Sequence, residues 1–255
     1  MKQRILTGLA IIAVVLPTFL FGGIPFKVLV FLFISVGLYE VYALKKDSWP
    51  IWIYFLILIM LLFMVNLSIE NLYVALTLSM LILMSLPIIF EWFLPFDAGY
   101  LISMILLFSA ALKSVLLMMT LGNLVLVYML VVTYITDTAA YFSGYLFGKH
   151  KLNERISPKK TVEGAIGGWL ISFIISTAYS YFFITTVPFI FMLIASLILP
   201  IVSQFGDLAL SAIKRYFGVK DFGTIFPAHG GVLDRIDSLL FVLVGFYILY
   251  TFVLI

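Results

Sequence analysis

The chain has 255 residues, 64% of them hydrophobic and 11% charged, with a mean hydropathy of +1.23 and a net charge of +3. Soluble domains carry about 25% charged and 45–50% apolar residues, so this composition excludes a water-soluble enzyme, a disordered chain and a basic nucleic-acid-binding domain. With no cysteine, disulfides, thiol nucleophiles, iron–sulfur clusters and Cys-ligated zinc are excluded too, leaving Asp, Glu, His, Lys, Arg and hydroxyls to carry any chemistry.

A helix crossing a ~30 Å hydrocarbon core needs about 20 residues. Long apolar runs between polar or Pro/Gly breaks predict an all-α, polytopic integral membrane protein of about nine transmembrane helices, near residues 5–22, 26–44, 51–69, 72–90, 99–119, 122–146, 164–186, 189–207 and 238–255. The first run has no small-x-small site before Gly22-Gly23 and is read as a retained helix rather than a cleaved signal. Placing the N-terminus in the cytoplasm puts thirteen of the fifteen Lys and Arg residues inside, all but Lys27 and Lys113. Both long polar loops, 147–163 and 208–237, then face the cytoplasm, and the expected location is the cytoplasmic membrane. Eleven charges fall in residues 1–136, sixteen in 137–237 and none in 238–255. Residues 1–121 are therefore expected to form an N-terminal block of five spans, and 122–255 a catalytic region of four.

The charged residues inside spans stand out first. Lys113, in the fifth span, has a stem long enough to snorkel. Asp137, in the sixth, costs ~2.5–3.5 kcal/mol at a span centre on insertion scales; it either glues helices together or faces a metal or substrate in a polar cavity. In the loop that follows, Ser157-Pro158 suits the cap and first position of a short helical turn whose free N–H groups bind an anion. Lys159, Lys160 and Thr161 add charge and a hydroxyl that suit a polyphosphate, and Glu163 stands at the membrane edge before Gly164, Gly167 and Gly168.

The second loop is richer. If the eighth span continues as a helix, Asp207, Ser211 and Lys214 share one face at i, i+4 and i+7. Asp234 and Asp237 sit one turn apart, close enough to serve one metal, and carboxylates without thiolates favour a hard cation such as Mg²⁺. His229 precedes Gly230 and Gly231, where backbone N–H groups can approach a phosphate. Arg235 either pairs with phosphate or neutralises its neighbouring aspartates.

The pattern Ser211-x-x-Lys214-Arg215 … Lys220-Asp221 … Pro227-x-His229-Gly230-Gly231-x-x-Asp234-Arg235-x-Asp237 resembles the defining motif of the phosphatidate cytidylyltransferases, also called CDP-diacylglycerol synthases. The Asp137-x-x-Ala140-Tyr141 and Ser157-Pro158-Lys159-Lys160-Thr161-x-Glu163-Gly164 segments are similar to that family's other polar motifs, in the same order. Three positions depart: Leu210 stands where Glu is common, Phe222 where Ser is common and Ala228 where Gly is usual.

The resemblance implies that CTP and phosphatidic acid give CDP-diacylglycerol and pyrophosphate, with Mg²⁺ and room for a second cation. It implies a homodimer and no nucleic-acid partner. Metal would be held by Asp207, Asp221, Asp234 or Asp237, with Lys214 and His229 also in the catalytic set. Lys159, Lys160, Lys214 and Lys220 would hold the triphosphate. Asp137, Ser157, Thr161, Glu163, Ser211, Arg215, Gly230, Gly231 and Arg235 would complete the substrate site. Two competing readings are a CTP-dependent lipid kinase, which would transfer the γ-phosphate, and an ion-coupled transporter using Asp137 and Lys113.

Overall fold

Hydropathy and helix-breaking residues divide the chain into long apolar helices, and a computed structural model describes them over residues 17–18, 22–67, 69–226 and 230–254. In order these are α1 (Gly23–Ala43), α2 (Trp52–Asn66), α3 (Ile69–Ile89), α4 (Pro95–Leu121) and α5 (Asn123–Phe147). A hairpin of β1 (Lys151–Asn153) and β2 (Ser157–Thr161) follows, then α6 (Val162–Phe183), α7 (Phe189–Tyr216) and α8 (Leu233–Leu254). Among the described residues seven helices are long and apolar enough to cross a membrane, and the apolar stretch Trp52–Val65 is shorter. The expected span at 5–22 lies almost wholly outside the described residues.

Two expectations are corrected. The segment 208–216, expected as loop, is the end of α7. No Gly or Pro interrupts Leu208–Tyr216, Lys214 and Arg215 complement the helix dipole in the last turn, and Gly218 at φ 70° ends the run. Ser157-Pro158, expected to open a helical turn, instead begins β2, which pairs antiparallel with β1. The side chain of Asn153 accepts the Ile156 N–H at 3.1 Å and turns the chain back on itself. Pro158 is tolerated because a strand of a two-stranded sheet has one unpaired edge. The anion site expected at a helix start there is therefore absent.

The chain divides into two compact units. One comprises Met1–Lys113 with Asp221–Arg235. The large side chains of its core include Trp49, Phe93, Phe108, Leu38, Ile57 and Leu61, all fully buried. The buried carboxylate of Asp97 accepts from Lys45 Nζ at 2.5 Å, the Leu94 N–H at 3.0 Å and Trp49 Nε1 at 3.4 Å, so the charge is paired as burial requires. Lys113 donates to the Leu67 carbonyl at 2.8 Å, satisfying an end of α2 that helix geometry leaves unpaired.

The other unit comprises Ser114–Lys220 with Ile236–Ile255. Gly164, Gly168, Ser172, Ser176 and Ser180 form a buried stripe at every fourth position of α6. Such small residues let helix backbones approach closely in lipid. A Cβ added at Gly168 would lie 2.9 Å from the Thr136 carbonyl and 2.8 Å from Ala140 Cβ. Because carbonyl and Cβ belong to the α5 wall, Gly168→Val must push the two helices apart. The expected cost is about 1–3 kcal/mol, read as a lower thermal midpoint in detergent; an unchanged midpoint contradicts the packing described.

Candidate active site

The long α7 carries the centre of the site. Asp207, Ser211 and Lys214 do share one face, as their spacing predicts for a continuous helix. Ser211 Oγ donates to Asp207 Oδ1 at 3.2 Å, and Asp207 Oδ2 pairs with Lys160 Nζ from β2. Side chains alternate along a strand, so Lys160 reaches Asp207 while its neighbour Lys159 is exposed. Lys214, 7% exposed, stands 3.8 Å from Asp237 on α8. Asp137 of α5 completes the group, within electrostatic reach of Asp207, Asp237 and Lys160. Three carboxylates thus meet two ammonium groups in a partly buried setting contributed by α5, β2, α7 and α8.

Around this centre several expected site residues hold backbone. Thr161 caps α6, its hydroxyl accepting the Gly164 N–H at 3.1 Å. Glu163 accepts the Lys149 N–H at 3.0 Å, the His150 N–H at 3.2 Å and pairs with His150 Nδ1 at 2.6 Å, tying the end of the α5 loop to the start of α6. Arg215 donates to the Val219 carbonyl at 2.9 Å and the Ile156 carbonyl at 3.4 Å, which anchors the hairpin turn to the end of α7. Lys220 is exposed, and Ser157 lies half-buried on β2. Leu210 is fully buried on α7, so an apolar side chain fills that position.

Asp221, Gly230, Gly231, Asp234 and Arg235 belong to the first unit and form a structure of their own. The Phe226 N–H donates to the Gly230 carbonyl at 2.9 Å. Gly230 adopts φ 82°, a left-handed conformation that favours glycine. Asp234 Oδ2 accepts the Phe222 N–H at 2.7 Å and the Gly231 N–H at 2.9 Å. Arg235 and Asp221 are exposed. His229, with Pro227 and Ala228, lies outside the described residues. Of the four aspartates that the family resemblance implies as metal ligands, Asp207 and Asp237 are brought together with Asp137, whereas Asp221 and Asp234 lie in the first unit.

Sequence reasoning passed over Glu40. This residue of α1 is 2% exposed, and its two oxygens accept the Val232 N–H at 2.9 Å and the Leu233 N–H at 2.7 Å. A lone carboxylate in an apolar span was the available signal, the same one that drew attention to Asp137.

The sequence profile of the cytidylyltransferase family matches residues 2–253. The chain belongs to that family. It is 36% identical to the phosphatidate cytidylyltransferase of Bacillus subtilis (strain 168), over 98% of this chain and 97% of that protein. The phosphatidate cytidylyltransferase of Staphylococcus haemolyticus is 48% identical over 46% of this chain and 45% of its own. That of Staphylococcus saprophyticus is 50% identical over 44% and 43% respectively. As a family member the protein is a nucleotidyltransferase, and a site that concentrates two lysines and three aspartates suits a reaction between phosphates.

Whether those residues fit a divalent cation can be judged from their chemistry. Among the described residues no three His, Asp or Glu side chains stand close enough to hold a metal by themselves. Mg²⁺ does not need such a cage, since it binds through one or two carboxylates together with substrate phosphates and water. Among the described residues the buried hydroxyls of Ser203, one turn before Asp207, and Ser238, directly after Asp237, have no hydrogen-bond partner. An oxygen-rich set, the carboxylates of Asp207 and Asp237 with the Ser211 hydroxyl on Asp207, fits a hard cation.

Proposed function

We propose that the protein transfers the cytidylyl group of CTP to phosphatidic acid, giving CDP-diacylglycerol and pyrophosphate, with Mg²⁺ bound at Asp207 and Asp237 beside Asp137. The observation that carries this reading is the Asp137/Asp207/Asp237 group with Lys160 and Lys214, in a chain that matches a phosphatidate cytidylyltransferase over nearly its whole length. When bound, Mg²⁺ supplies positive charge between two anionic substrates and polarises the reacting phosphorus.

The chain's own residues do the rest. The triphosphate competes with Asp207 for Lys160 and with Asp237 for Lys214, so both lysines exchange an internal anion for a substrate anion. Ser211 keeps Asp207 oriented while that exchange occurs. A phosphate oxygen of phosphatidate, already anionic, attacks the α-phosphorus. The bond from that phosphorus to the oxygen bridging to the β-phosphate breaks, and its electron pair leaves with pyrophosphate. Since the nucleophile carries no proton that must be removed, positioning and charge stabilisation dominate over general-base catalysis. Exposed Lys159 and Lys220 add positive potential that draws the nucleotide in.

A lipid substrate also accounts for the helices. The chain is proposed to cross the membrane nine times with its N-terminus in the cytoplasm, because that arrangement puts thirteen of the fifteen basic residues on the side that holds CTP. The test is stoichiometry. Purified protein in detergent should release one pyrophosphate per CTP consumed, only when phosphatidate is present, and chelation of divalent cations should stop it. Pyrophosphate release without phosphatidate, or undiminished turnover in chelator, contradicts the reading.

A further inference from the structure

Helix α8 begins at Leu233, and the first N–H groups of any helix lack partners within it. A Ser, Thr, Asp or Asn at the cap ordinarily accepts one of them, but Val232 precedes α8 and has no acceptor in its side chain. The acceptor comes from 192 residues away. Glu40, near the end of α1, uses both carboxylate oxygens, one on the Val232 N–H and the other on the Leu233 N–H. An anion at a helix N-terminus is also favoured by the helix dipole. The surrounding chain is shaped to admit it: a Cβ on either Gly223 or Gly231 would run into the Glu40 carboxylate. Gly231, expected to be small so that phosphate can approach its backbone, is small here for a reason inside the fold.

Around this clamp the motif segment is held by a second carboxylate. Asp234 binds the Phe222 and Gly231 N–H groups, and Gly230 packs against it, its added Cβ falling 2.9 Å from Asp234 Oδ2 and 3.3 Å from Asp221 Cβ. Glu40 and Asp234 therefore grip adjacent backbone, residues 231–233, from opposite sequence directions. Asp221, Gly230, Gly231, Asp234 and Arg235, five residues of the family-like motif, depend on that grip for their placement.

We propose that Glu40 is a positioning residue for the motif segment at Gly230–Arg235: its carboxylate caps α8 and, with Asp234, holds the backbone of residues 231–233 in the conformation that turnover requires. The link to chemistry rests on the cytidylyl-transfer reading, whereas the clamp itself does not. Lys160 and Lys214 lie outside this segment, so nucleotide binding should survive its loosening better than turnover does.

The test uses full-length protein in detergent with three variants, Glu40→Gln, Glu40→Ala and Gly223→Ala. Glu40→Gln keeps the shape and loses one acceptor, Glu40→Ala loses both, and Gly223→Ala crowds the carboxylate without touching its charge. Amide exchange in peptides covering 221–236 is expected to rise roughly tenfold or more, as for loss of a charge-assisted buried hydrogen bond, while exchange across α5, α6 and α7 stays at the wild-type rate. With CTP and phosphatidate, kcat is expected to fall roughly tenfold or more and KM for CTP to change less than about threefold. Exchange and kcat within twofold of wild type in Glu40→Ala and Gly223→Ala overturn the proposal. So does exchange that rises equally in every helix, or a chain that does not fold in any of the three variants, since either assigns Glu40 to general stability. If wild-type protein makes no CDP-diacylglycerol, the functional reading fails, and the exchange data still decide the clamp.

Discussion

Asp237→Asn is expected to lower kcat/KM by about 10²–10³-fold, the scale for removing one preorganised charge from a reaction centre, while leaving the thermal midpoint in detergent unchanged or raised. The two effects have one origin. Asp237 faces Asp207 and Asp137, and Lys160 and Lys214 offset the three acids. Neutralising one acid relieves like-charge repulsion in the resting protein, at the cost of the charge that a cation and a polyphosphate require. Asp234→Asn should behave differently although it is only three residues away on the same helix. Its carboxylate already serves the Phe222 and Gly231 N–H groups, so the variant should lose stability, by about 1 kcal/mol, together with activity. Paired melting curves and initial rates for the two variants check this. Equal destabilisation in both, or near-normal activity in Asp237→Asn, contradicts the division of labour.

Lys160→Ala carries the second large effect, an expected loss of about 10²-fold or more in kcat/KM for CTP, with KM rising. Lys160 reaches Asp207 from the strand face opposite to Lys159, so its ammonium is the part of the hairpin placed in the acid cluster. Lys149 gives its backbone N–H to Glu163, and its side chain is exposed. Lys149→Ala should therefore stay within about twofold of wild type, as for surface substitutions generally. Steady-state kinetics at varied CTP separates them, and comparable losses in both variants would show that the hairpin acts through bulk positive charge instead of one placed lysine.

Much of this was legible in the sequence because lipid punishes exceptions. Long apolar runs located the helices, and Asp137 stood out by its cost in a span. The Asp207, Ser211 and Lys214 face followed from helical spacing once no breaker intervened. Local chemistry was harder to read where two explanations shared one signature. Ser157-Pro158 suits a helix start and equally a strand with a free edge, and the Asn153 turn decided between them. The Asp234/Asp237 spacing placed both acids on one turn but could not say that backbone N–H groups claim the first. Glu40 was least legible, since nothing near it in sequence announces a partner 192 residues on. Its charge inside an apolar helix was the available clue; Asp97, just ahead of the expected span 99–119, lacked even that, and its partners Lys45 and Trp49 are likewise remote.

The central claim is that this chain moves a cytidylyl group onto phosphatidate at the Asp207/Asp237 cluster. The most direct measurement incubates purified protein with phosphatidate, Mg²⁺ and CTP labelled in parallel at the α- or the γ-phosphorus, followed by separation of the lipids. Label from the α-position should appear in the lipid as CDP-diacylglycerol and label from the γ-position should leave as pyrophosphate, with neither reaching lipid in Asp207→Asn. Lipid labelled from the γ-position, or α-label transferred undiminished by Asp207→Asn, would contradict it.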